Sequence, residues 1–248
     1  MKKTHSLLLA LLLTSLLATN LYFFTSNSYS ANKEKVNVLR VIDGDTLELE
    51  DGRKVRLANI NSPEKISSDS NISFKFLKTL EGKTVELEVV KSKDKYNRVV
   101  ARIFSPEYTN LEIIKKGLAN KFLVSKEERR TFAQAEKYAI DHELGIWQRS
   151  KYYDCFSASI DSIGEIVYLK SKCGKIDMRG WRLKDESREE LFFPEIKTDQ
   201  LIINSSSGRN TEKIIYWGSS TPIWNNDEDS LYLRDKEGKL IHYETYSN

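Results

Sequence analysis

Apolar and polar residues alternate along much of the first half of the chain. Leu47 and Leu49 alternate with Thr46, Glu48 and Glu50, and Val55 and Leu57 alternate with Arg56 and Ala58. Val85, Leu87 and Val89 alternate with Thr84, Glu86 and Glu88. A period of two is that of a half-buried strand. Residues 36–42 and 99–104 supply two further strands, and Asp51-Gly52 is a hairpin turn between the second and third. Between and after the strands the spacing becomes helical. Phe74, Leu77 and Leu80 predict a helix over residues 72–80 capped by Asn71. Asn110 is placed to cap a helix that runs to Lys116 and stops at Gly117. Phe132, Ala135, Ala139 and Ile140 share one face of a helix over residues 127–144, with Gly145 placed to end it. Five strands with flanking helices predict an α+β domain built on a small closed barrel, and an oligonucleotide-binding β-barrel suits that pattern best.

Beyond Trp147-Gln148 the pattern changes. Short strand-like runs at 165–169, 181–183, 191–193, 201–203, 213–217, 230–234 and 239–243 are separated by turn residues, with no long helical stretch. This is the signature of a β-sandwich. The expected organisation is a first domain at 34–149, a link over 149–154 and a second domain at 155–248.

Length and charge sharpen this only slightly. The 248 residues suffice for two modest domains. Residues 31–150 carry 23 Lys+Arg against 19 Asp+Glu, and residues 151–248 carry 14 against 17. The first region leans toward an anionic partner, too mildly to argue for nucleic acid by itself. The amino terminus matters more. Lys2-Lys3 precedes an apolar stretch at 7–17, and Ser28-Tyr29-Ser30 is a small-x-small cleavage pattern. Residues 1–30 are thus expected to be a signal peptide or an N-terminal membrane anchor, placing the rest outside the cytoplasm, secreted or membrane-anchored. Cys155 and Cys173 are the two cysteines of the chain. In an oxidising compartment they form either a bridge worth about 3 kcal/mol or a pair of buried thiols.

The candidate chemistry lies at the open ends of the first hairpin. Asp43-Gly44-Asp45-Thr46 precedes it and Asn61-Ser62-Pro63-Glu64 follows it. Hairpin geometry brings those ends together, so Asp45 and Glu64 are expected to face each other with Arg56 nearby. Carboxylate oxygens beside a guanidinium suit a hard cation and a phosphate. Taken alone, both blocks are ordinary turn chemistry. The loop before Val99 offers Lys95, Tyr96 and Arg98 on one turn. By itself it is a solvated basic loop, and with Arg56 it becomes a clamp for a phosphodiester.

These blocks, with Gly117-Leu118-Ala119 and Leu144-Gly145-Ile146-Trp147, resemble the thermonuclease (staphylococcal nuclease-like) family across residues 36–147. The resemblance implies a calcium-dependent phosphodiesterase acting on DNA and RNA and leaving 3′-phosphate ends. It implies that Asp45, Asn61 and the Ser62 carbonyl hold Ca2+, and that Glu64 is the general base. Arg56 and Arg98 would hold the scissile phosphate, with Lys95 and Tyr96 near the terminal phosphate of bound nucleotide. Two residues depart from the family pattern. Asn97 stands where glycine is usual, and asparagine tolerates a left-handed backbone. Asn61 stands where an aspartate is usual and removes one negative charge, so weaker calcium binding is expected, and Asn61→Asp is expected to strengthen it. Leu123 and Ser125 stand where the family tends to offer tyrosines.

In the second region Gly180-Trp181-Arg182-Leu183, Tyr216-Trp217-Gly218, Trp224-Asn225-Asn226-Asp227 and Leu231-Tyr232-Leu233 resemble the lamin-tail domain. That resemblance implies an immunoglobulin-like β-sandwich serving attachment, to cell envelope or extracellular material, or substrate binding. Its tryptophans are expected in core and loop packing, and Asp227, Glu228 and Asp229 in an ordinary acidic turn. The rival to a nuclease is a non-catalytic nucleic-acid-binding or extracellular scaffold protein with a degenerate metal site.

Overall fold

The computed structural model describes residues 33–63, 70–186 and 190–247. The expected signal or anchor segment at 1–30 and the expected general base Glu64 lie outside the described residues. In the first half, β1 (Lys33–Asp43), β2 (Thr46–Leu49), β3 (Lys54–Leu57), β5 (Thr84–Lys91) and β6 (Val99–Phe104) close into a barrel of order β1-β2-β3-β6-β5. Val38, Leu47, Leu49, Val55, Leu87 and Ile103 point inward and are fully buried, whereas Val89, expected on the same face as Val85 and Leu87, is 44% exposed near the end of β5. The two-residue strands β4 (Ile60–Asn61) and β7 (Asn120–Lys121) pair separately, Asn61 opposite Asn120. Helices α1 (Ser70–Lys78), α2 (Thr109–Lys115) and α3 (Arg129–Asp141) flank the barrel.

The helices occupy their expected places, but three expected end signals work differently. Asn71 is the second residue of α1, inside the helix rather than ahead of it. Tyr108, not Asn110, holds the N-cap position of α2, and its side chain makes no capping bond. The buried Asn110 amide instead accepts the Ile103 N–H and donates to the carbonyls of Ala58 and Ala101, pinning the barrel to the helix. After α3 the left-handed position is Glu143 (φ 54°), and the Leu144 N–H returns to the Ala139 carbonyl. Gly145 has another task. A Cβ there would lie 2.1 Å from the Gly117 carbonyl oxygen, and the Ile146 N–H donates to that same oxygen at 2.8 Å. Gly117 and Gly145 let two backbone segments touch, which locks the end of α2 against the exit from α3.

In the second half, β8 (Phe156–Asp161), β9 (Ile166–Ser171), β14 (Gln200–Asn204) and β15 (Ile214–Tyr216) form one sheet, and β11 (Arg182–Lys184), β12 (Glu190–Phe192), β16 (Glu228–Arg234) and β17 (Leu240–Ser247) form another. The short strands β10 (Ile176–Asp177) and β13 (Lys197–Thr198) pair alongside. Val167, Leu169, Leu201 and Ile203 of the first sheet share one core with Leu183, Leu191, Leu231 and Leu233 of the second. Trp181 and Trp224 are buried in that core. Cys155 and Cys173 form a disulfide.

The two halves are joined by more than the chain. Six of the seven residues of β16 are buried, which a strand with one solvated face does not show. Leu231 and Leu233 point into the sandwich core, whereas Tyr232 and Leu240 of the second half pack with Ala139, Ile146 and Trp147 from the end of the first. Trp147 meets Tyr243 edge-on with ring centroids 5.2 Å apart. The Arg234 guanidinium donates to the Ile146 carbonyl. The expected link at 149–154 is itself paired: the Ser150 N–H donates to the Leu240 carbonyl, and the Leu240 N–H to the Gln148 carbonyl.

Candidate nuclease site

The turn between β1 and β2 places Asp45. Gly44 is needed there because Ser62 and Ser73 crowd it; a Cβ on Gly44 would come within 2.7 Å of the Ser62 Oγ. Ser73 on α1 donates to the Gly44 carbonyl. Asp45 is 1% exposed. Its Oδ2 accepts the Ser62 N–H and Oγ–H, both at 3.1 Å, so the two ends of the hairpin do meet. Its Oδ1 accepts the Thr46 hydroxyl at 3.0 Å.

Register explains why Arg56 arrives at the same place. Arg56 lies directly opposite Thr46 across β2 and β3, so the two side chains share a face. The Arg56 guanidinium stands 3.1 Å from Asp45 Oδ2, donates to the Leu57 carbonyl at 2.6 Å and reaches Asn61 Oδ1 at 3.5 Å. Arg98 approaches from the loop before β6. Asn97 takes the left-handed conformation (φ 61°) that turns this loop. The Asp94 carboxylate gathers it, accepting the N–H groups of Tyr96 and Arg98 and the Arg98 guanidinium at 2.7 Å. Burial pushes the Asp94 pKa up, but these donors outweigh it and hold the carboxyl below its usual range. Arg98 then extends to the Thr46 hydroxyl at 3.4 Å. A chain of contacts therefore runs Arg98, Thr46, Asp45, Arg56, Asn61. Lys95 and Tyr96 stay at the edge, with Tyr96 60% exposed and both Lys95 and Arg98 over its ring.

The residues gathered here partly suit a metal ion. Asp45, the Asn61 amide and the Ser62 carbonyl offer oxygen, the donor a hard cation takes. Burial, and then the Asp45 charge, raise the Asp43 pKa. Charge count is low, however. Among the described residues no group of three or more His, Cys, Asp or Glu comes together to hold a metal. The chemistry of the donors fits calcium, and their charge makes the fit a weak one.

Residues beyond those singled out in the sequence also contribute. Thr46 and Asp94 lie within the motif blocks but carry no role of their own in the sequence reading. Asn120, paired with Asn61, has a buried Oδ1 with no hydrogen-bond partner. Glu186, from the second half, accepts a hydrogen bond from the Asn61 amide.

Residues 54–149 match the family model described as staphylococcal nuclease homologue. A Haemophilus influenzae protein named "Uncharacterized endonuclease" is 36% identical over 143 residues, covering 55% of this chain and 78% of its own length. The chain belongs to the staphylococcal nuclease family. An Escherichia coli protein, also named "Uncharacterized endonuclease", is 36% identical over 115 residues, 45% of this chain and 67% of its own. The "Thermonuclease" of Staphylococcus hyicus is 29% identical over 139 residues, 50% of this chain and 82% of its own. The family match thus takes in β3 to α3 with Arg56, Asn61 and Arg98, while β1, β2, Asp45 and Thr46 precede it, and it ends before β8.

Proposed function

We propose that this protein is a calcium-dependent nuclease that hydrolyses phosphodiester bonds of DNA and RNA. The convergence of two guanidinium groups on Asp45 and Thr46 supports the reading most directly. Arg56 and Arg98 are the residues that would grip the scissile phosphate, and donors aimed at charge growing on its oxygens lower the barrier. Glu64 is assigned the role of general base, taking the proton of the attacking water. Asp45, Asn61 and the Ser62 carbonyl would hold calcium, which when bound supplies positive charge to the phosphate. Lys95 and Tyr96 would line the outer end of the nucleotide. Cleavage leaving 3′-phosphate ends follows from the family reading.

Export, by a cleaved signal or a retained anchor at 1–30, agrees with the Cys155–Cys173 bridge, since such bonds persist in oxidising compartments. The second domain is assigned to the lamin-tail type, an immunoglobulin-like sandwich for attachment. The test is digestion of single-stranded DNA across a calcium titration, with a chelator and with Glu64→Ala. Cleavage should rise with calcium into the millimolar range, about 10⁻⁴–10⁻³ M for extracellular modules, and vanish in both controls. A neutral Asn61 where the family usually has an aspartate favours one rival, a non-catalytic nucleic-acid-binding or scaffold protein. Retained binding with no cleavage at saturating calcium establishes that rival instead.

A further inference from the structure

Asn61 is 2% exposed and is held from both sides. Its Oδ1 lies 3.5 Å from the Arg56 guanidinium, and its Nδ2 donates to the Glu186 backbone carbonyl at 3.1 Å. These partners fix the orientation of the amide, because a guanidinium only donates and a carbonyl only accepts. They also fix the residue type. An aspartate at 61 would set a carboxylate oxygen against a carbonyl oxygen with no proton between them. The segment bearing that carbonyl is anchored in the second half as well. The Glu186 N–H donates to Asp229 at 3.3 Å, and its carboxylate accepts the Ser230 hydroxyl at 2.6 Å. The same carboxylate faces Lys121 at 3.9 Å. Lys121 is tied in turn to Glu136 of α3 by its N–H and by its ammonium, each at 3.0 Å, and it belongs to the strand that pairs with Asn61.

We propose that the second domain completes the nuclease site, its Glu186 carbonyl being a positioning group that keeps the Asn61 oxygen turned toward Arg56 and Asp45. The sandwich is then a working part of the site as well as a carried module. Charge counting favours an aspartate at 61, yet the docked domain requires an amide there. This assignment rests on the nuclease reading for its purpose and on Asn61 and Glu186 alone for its geometry.

The test uses the full chain and begins without cleavage. Hydrogen exchange of backbone amides at 184–186 is compared in the wild type, Asn61→Asp and Asn61→Ala. Exchange there should quicken by about tenfold in both variants, the size of a broken contact between neighbouring groups. Unchanged exchange in both overturns the proposal. Calorimetric titration with calcium chloride then compares the wild type with Glu186→Ala, which frees the carbonyl-bearing segment from Ser230 and Lys121. Affinity should fall by about tenfold, the low end for loosening a partner that orients a metal ligand, and an unchanged affinity overturns the positioning role. A wild type that shows no calcium binding sinks the metal reading under "Proposed function" while the exchange experiment still decides whether Asn61 holds the second domain.

Discussion

Asp45 and Asp229 are both buried aspartates beside a turn, one in each half of the molecule, 1% and 2% exposed. Asp229 is surrounded by neutral donors: the N–H groups of Glu186, Asn225 and Ser230, and the Asn225 side-chain amide. Asp45 takes one N–H and two hydroxyls, and then a guanidinium, with the Asp43 carboxyl crowded beside it. A carboxylate ringed by backbone N–H groups is anchored and its turn is anchored with it. A carboxylate that shares its site with a guanidinium and a second carboxyl concentrates charge that an arriving phosphate or cation would rebalance. Burial is equal in the two cases; the kind of donor tells structure from chemistry.

The comparison can be broken most forcefully at Arg56. Arg56→Ala should lower single-stranded DNA cleavage by about 10²–10³, as loss of one charge-stabilising donor does. The chain should remain folded by circular dichroism, and a variant that still cuts at near wild-type rate removes Arg56 from the chemistry. Next in size is the bridge of the second half. Replacing Cys155 and Cys173 together by alanine opens a loop spanning 18 positions and should cost about 3 kcal/mol of unfolding free energy in urea. Cleavage by the folded fraction should persist; equal loss of cleavage and stability would mean the two halves cannot be separated in this way. Asp229→Ala should cost about 1–3 kcal/mol, the penalty for buried donors left without an acceptor. Its cleavage should fall far less than that of Arg56→Ala, by the amount that a loosened Glu186 carbonyl allows. A hundredfold loss in folded Asp229→Ala would erase the distinction between the two aspartates.

Much of this arrangement is written in local pattern, and the part that is not has identifiable causes. The barrel strands were legible because Leu47, Leu49, Val55, Val85 and Leu87 alternate with charged or hydroxyl residues, and one face is buried. β8 was missed because Ser157, Ala158 and Ser159 are too small to show an alternation. Asn110 precedes an apolar run, as a cap does, but its amide is spent on three backbone groups of the barrel strand and loop. Gly145 follows a helix, as a terminator does, but the close approach to Gly117 is what requires it. At the site, Asp45, Arg56, Asn61, Ser62 and Arg98 were legible as spaced motif blocks, and folding brings all five together. Glu186 was not legible, since Asp185-Glu186-Ser187 is an ordinary polar turn in sequence. Only tertiary packing of β16 against Trp147 carries it to Asn61, and no local period encodes that contact.

Asp94 lies between the two aspartates in character and offers the finest test. It accepts two backbone N–H groups, as Asp229 does, and a guanidinium, as Asp45 does. Burial raises its pKa, but the bonds from Arg98 and Tyr96 prevail and lower it. A carboxyl whose folded pKa is depressed contributes stability above its unfolded value, about 3.9 for aspartate, and that contribution is lost as pH falls through the folded value. From neutral pH down to about 4 the loop should therefore keep Arg98 directed at Thr46, and further acidification should release it. Carboxyl carbon chemical shifts followed through an acid titration give the Asp94 pKa directly. In the wild type it should lie below the usual aspartate range, and in Arg98→Ala it should move up toward that range while staying somewhat depressed by the two N–H groups. If Arg98→Ala leaves the titration where it was, the N–H groups alone set it. Asp94 then belongs with Asp229 as an anchored turn, and Arg98 owes its direction to something other than the Asp94 carboxylate.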